Sequence, residues 1–115
     1  MPPDSLPPRG DCGALRLADH GGARTLAPGA RLRLCLPEAP TSGYRWRGVE
    51  ALAADAPLQC LASDYAPPAA VGGQGLRCWT FEARRAGSAA LHLLLVRPGG
   101  GAAAGRFDLG IEIAP

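Results

Sequence analysis

The stretch Phe107-Asp108-Leu109-Gly110-Ile111-Glu112-Ile113 alternates without a fault, four large apolar residues interleaved with Asp, Gly and Glu. A period of two gathers Phe107, Leu109, Ile111 and Ile113 on one face of an extended strand, whereas a helix would scatter them around its axis. The same alternation recurs in Arg31-Leu32-Arg33-Leu34-Cys35-Leu36. Other short runs fall between turn signals. Ala14–Leu17 reads as a first strand closed by His20-Gly21-Gly22, Arg24–Leu26 continues it weakly, and Pro28-Gly29 turns the chain again. Tyr44–Val49, Leu58–Leu61 and Leu76–Ala83 read as further strands, with Trp79, Phe81 and Ala83 on one face. Glu50 to Pro57 is Ala-rich and fits either one helical turn or a plain connection. Ala89–Val96 is almost continuously apolar, the pattern of a central strand covered on both faces.

Turn signals at roughly 8–12-residue spacing imply an all-β fold, an immunoglobulin-like antiparallel β-sandwich. With 16 Gly and 12 Pro in 115 residues, the chain has the turn chemistry such a fold consumes. Trp46 falls on the third main strand, where a sandwich buries an indole between its sheets. Residues 1–13 read as a Pro-rich arm and 14–115 as one domain.

Several function classes fall away. A formal charge of +2, carried by scattered arginines with no lysine, gives no footprint for nucleic acid or a membrane surface. No window is long and apolar enough to span a bilayer, and no apolar segment near Met1 reads as a secretion signal. Cys12, Cys35, Cys60 and Cys78 lack the close spacing of a zinc site. In a chain long enough for its own core they read as unpaired, with two disulfides in one of three pairings as the alternative. A Cys/His enzyme would need one of these thiols beside His20, at a turn, or His92, which sits among leucines and reads as packed. Neither context favours catalysis. The glycines at 72, 73 and 75 lead into a strand with no Lys-Ser/Thr following, so they are not a phosphate cradle, and Arg84-Arg85 reads as a solvated strand end. No cofactor or metal is implied.

Strands running alternately up and down bring three loops to one end: Pro37–Gly43, Pro67–Gly75 and Arg97–Gly105. Clustered loops on a rigid sandwich make a binding surface. In the first, Pro40 fixes its own φ, Gly43 is free to take a positive φ, and Thr41 and Ser42 are left at the tip.

Together these loops resemble the chagasin family of cysteine-peptidase inhibitors. The family's first loop, Asn-Pro-Thr-Thr-Gly-Tyr with a Trp two residues on, is matched by Ala39-Pro40-Thr41-Ser42-Gly43-Tyr44-Arg45-Trp46. Its Gly-x-Gly-Gly loop is matched by Gly72-Gly73-Gln74-Gly75, and its Arg-Pro-Trp by Arg97-Pro98-Gly99. The resemblance runs from about Leu15 to Ile113. It implies a monomeric inhibitor that is reversible and non-covalent, with a papain-like cysteine peptidase as partner and a periplasmic or secreted setting; with no secretion signal read in the chain, a cytoplasmic setting stays open beside it. It also implies roles. Thr41 would sit above the catalytic thiolate, the glycines of the second loop would approach a cleft wall through their backbone, and Arg97-Pro98 would buttress the other side. Ala39, Gln74 and Gly99 depart from the family's Asn, Gly and Trp, and an aromatic anchor such as that Trp often dominates interface energy. The alternative is an immunoglobulin-like interaction module that has kept the scaffold and lost inhibition.

Overall fold

The computed structural model describes residues 14–39, 41–68 and 73–115. The arm 1–13 with Cys12, and the loop residues Pro40 and Gly72, lie outside the described residues. Among the described residues seven strands follow in order: β1 (Ala23–Leu26), β2 (Arg31–Glu38), β3 (Arg45–Arg47), β4 (Leu58–Ala66), β5 (Gly75–Ala83), β6 (Gly87–Val96) and β7 (Gly105–Ile113). They form a three-stranded sheet, β2-β5-β4, and a four-stranded sheet, β1-β7-β6-β3. All neighbours are antiparallel except β1, which runs parallel to β7. This is the expected sandwich, with one parallel edge.

The alternating runs dictate the core. Leu32, Leu34 and Leu36 of β2 and Trp79, Phe81 and Ala83 of β5 share one core with Leu91 and Leu93 of β6 and Phe107, Leu109, Ile111 and Ile113 of β7. A fully buried Leu or Phe side chain contributes about 1.5–3 kcal/mol. The Trp46 indole lies buried in the same core, as expected.

Other expectations need correction. β6 is central in its sheet but covered on one face only: Leu91 and Leu93 are buried, while Ala90, His92 and Leu94 are exposed. His92 is therefore not packed, and its ring hydrogen-bonds the Asp108 carboxylate opposite, on β7. The Ala14–Leu17 strand reduces to one bridge, Leu15 to Leu34, before a 3-10 turn at Leu17–Asp19. Tyr44–Val49 shortens to the three residues of β3, and Leu58–Leu61 lengthens to nine in β4. The Ala-rich connection holds a short 3-10 turn, Val49–Ala51. Cys35 and Cys78, read as unpaired, form a disulfide. They stand directly opposite each other on β2 and β5, a register that strand periodicity alone does not reveal.

Candidate functional site

Strand register carries the three loops to one end of the sandwich. β2 ends at Glu38 opposite Gly75, the first residue of β5, and β4 ends at Ala66 opposite Leu76. In the other sheet β3 begins at Arg45 opposite Val96, the last residue of β6, while Gly105 opens β7 opposite Leu95. The β2–β3, β4–β5 and β6–β7 loops therefore leave the same edge.

The first loop is closed from within. Ser42 donates its backbone N–H (3.2 Å) and its hydroxyl (2.9 Å) to the Ala39 carbonyl, and its hydroxyl oxygen accepts the Tyr44 N–H at 3.1 Å. Ser42 is thus a brace, not a presented hydroxyl. Gly43 adopts φ +80°, the conformation its lack of a side chain allows, with open space on the side where a Cβ would lie. Thr41 is left exposed at the tip. Tyr44 is half-buried, and the Arg97 guanidinium lies over its ring, so the first loop and the third are in contact.

Beneath the loop sits a group the sequence reading passed over. Glu38, 2% exposed, is the one charged or polar residue that is buried among the described residues. Its Oε1 accepts the Trp46 backbone N–H at 3.0 Å, and its Oε2 meets Arg77 Nη2 at 3.1 Å and Nε at 3.2 Å. Arg45 stands further off, 4.0 Å from the same oxygen. The Tyr65 hydroxyl donates to the Glu38 carbonyl at 2.9 Å, and the Trp46 indole N–H donates to the Pro37 carbonyl at 2.9 Å. Arg77 also stacks on the Tyr65 ring, 4.9 Å from its centroid. The signal was available: Glu38 continues the parity of Leu32, Leu34 and Leu36, so a strand running on through Pro37 carries it inward.

Gly75, which the resemblance places in the second loop, is buried at the start of β5. A Cβ there would fall 2.5 Å from the Tyr65 hydroxyl oxygen and onto the Ala66 carbonyl, so this glycine makes room for the tyrosine that ties β4 to Glu38. Gly73 is half-buried and Gln74 exposed. In the third loop Arg97 and Pro98 are exposed, and Gly99, Gly100 and Gly101 follow with φ of +89°, +99° and +95°.

Among the described residues a thiol enzyme finds no support in this arrangement. Burial pushes the Cys60 thiol up, away from the thiolate a nucleophile needs. Both histidines address Asp108 instead: His20 Nδ1 accepts its backbone N–H at 3.0 Å, and His92 Nδ1 lies 2.9 Å from its carboxylate. Among the described residues no three His, Cys, Asp or Glu side chains are placed to hold a metal.

A family model described as Chagasin family peptidase inhibitor I42 matches residues 25–111. No curated protein matches the chain in sequence. Among solved structures, the cysteine protease inhibitor EhICP2 from Entamoeba histolytica is similar at a TM-score of 0.72 and 14% identity, over 88% of this chain and 93% of that one. The solution structure of Amebosin is similar at 0.66 and 21% identity, covering 88% and 96%. PbICP-C, in a complex with falcipain-2, gives 0.54 and 14% identity, covering 88% and 97%. At these identities the structural likeness shows the fold.

Proposed function

The chain belongs to the chagasin family of peptidase inhibitors, and on that footing we propose that it inhibits papain-like cysteine peptidases by placing its first loop in the active-site cleft. The observation that carries this reading is the coupling of the loop end. The Ser42 brace closes the first loop internally, Arg97 packs on Tyr44 from the third, and Tyr65, at the end of β4, bonds Glu38 beneath. A wedge ordered before binding loses little conformational freedom on docking, and that saving appears as affinity.

Inhibition without reaction follows from the tip's chemistry. Thr41 presents a hydroxyl and a methyl to the thiolate, neither of which it can attack. The backbone beside it is a closed serine turn leading into Gly43 at positive φ, not the extended conformation in which a cleft holds a scissile bond. Binding is then reversible and leaves both chains intact. PbICP-C, similar in fold, forms a complex with falcipain-2, which supports a partner of this class. Steady-state inhibition of papain, followed by recovery of uncut inhibitor from the complex, tests the proposal. Complete recovery with restored peptidase activity supports it, and cleavage within Ala39–Tyr44 overturns it.

A further inference from the structure

The two stems of the first loop belong to different sheets, β2 to the three-stranded one and β3 to the four-stranded one. No backbone ladder can close its base, as one closes an ordinary hairpin. We propose that Glu38 is the positioning residue of this loop: its buried carboxylate joins the two stems and fixes where Thr41 is presented. The proposal rests on the inhibitory reading for its consequence, not for its geometry.

Three segments converge on this one residue. β3 supplies the Trp46 N–H, β5 the Arg77 guanidinium, and β4 the Tyr65 hydroxyl on the Glu38 carbonyl. A charged acceptor makes the stronger hydrogen bonds, and a fully buried carboxylate is tolerated only when paired. Burying an ion pair is a poor route to stability, and an apolar residue here would simply extend the inward series Leu32, Leu34, Leu36. What an apolar residue cannot do is accept the Trp46 N–H. The carboxylate is therefore suited to setting the loop's position more than to strengthening the core. Ala39, the neighbouring residue, has no polar side chain with which to share that work.

The test compares wild type, Glu38→Gln and Glu38→Met by amide hydrogen exchange and by binding kinetics on papain. Glu38→Gln keeps an acceptor for Trp46 and is close in shape, so it remains measurable even where Glu38→Met fails to fold. Exchange is expected to quicken at Ser42–Trp46 while amides of β6 and β7 keep their protection. The dissociation rate is expected to rise about tenfold or more for Glu38→Met and less for Glu38→Gln, with association nearly unchanged. Uniformly faster exchange, or unchanged exchange in the loop, overturns the proposal, as does local loosening with wild-type inhibition. A wild-type protein that does not inhibit overturns the functional reading, and the exchange comparison then decides the clamp by itself.

Discussion

The Arg97 guanidinium lies 5.2 Å from the centroid of the Tyr44 ring, so the third loop is fastened to the first by a cation over an aromatic face. At an exposed site such a contact is worth about 0.5–1 kcal/mol. Arg97→Ala should therefore weaken peptidase binding by at least about twofold to fivefold, mainly through faster dissociation. Arg97→Lys keeps the charge but not the planar stack, and should preserve the association rate without restoring the dissociation rate. Surface plasmon resonance on an immobilised peptidase separates the two.

Gly99 stands where the family resemblance places a Trp, and replacing it looks like a simple way to regain an anchor. Its φ of +89°, followed by two more glycines at positive φ, argues otherwise. An L side chain there costs about 1–2 kcal/mol in backbone strain. Gly99→Trp should lower the denaturant midpoint or bend the loop, and should gain no more than about threefold in affinity. A large gain at unchanged stability would show that the loop adapts to the bulk.

Much of this was legible in the chain. β7 and β2 declare themselves by their period of two, and Gly43 by its place between a short polar tip and an aromatic pair. β6 was legible as a strand but its open face was not, because Leu93, Leu94, Leu95 and Val96 are all apolar, and Leu94, 45% exposed, reads like its buried neighbours. β4 was cut short because an edge strand tolerates an exposed run of small and polar residues, Ala62-Ser63-Asp64. Pro37 read as the end of β2, yet β2 is the outer strand of its sheet, where a missing N–H is tolerated. That misplacement hid Glu38. The pairing of Cys35 with Cys78 depends on register between strands 43 residues apart, which no local pattern carries.

The Cys35–Cys78 disulfide ties β2 to β5, whose ends hold Glu38 and Arg77. Closing a link of this span typically stabilises a fold by about 2–4 kcal/mol. A double Cys35→Ser, Cys78→Ser variant should unfold at a clearly lower denaturant concentration. Its loss of inhibition should follow its loss of folded protein. The comparison is run at the low reductant concentration that keeps the peptidase active, with the oxidised wild type alongside.

Asp108 titrates below the ordinary aspartate value of 3.8, because His92 hydrogen-bonds its carboxylate and Arg106 pairs with it. A folded-state value below the unfolded one means the stabilisation is present above the unfolded value and is lost as pH falls through the folded one. Wild type should therefore exceed Asp108→Asn in stability by a small margin near about pH 5, and the margin should close as pH falls below 3.8. Urea midpoints measured from about pH 5 downward check the sign. A margin that widens on acidification contradicts it.

The proposed inhibition places Thr41, at the tip of a braced loop, in the peptidase's active site. Titration of papain with wild type and with Thr41→Arg tests it most directly, with thermal unfolding measured on both. Thr41 is exposed and outside every strand, so the bulkier side chain should leave the melting temperature nearly unchanged. Wild type should inhibit saturably at micromolar concentration or below, and Thr41→Arg should lose inhibition by about 100-fold or more. Equal inhibition by the two proteins, or none by folded wild type at high micromolar concentration, would contradict it.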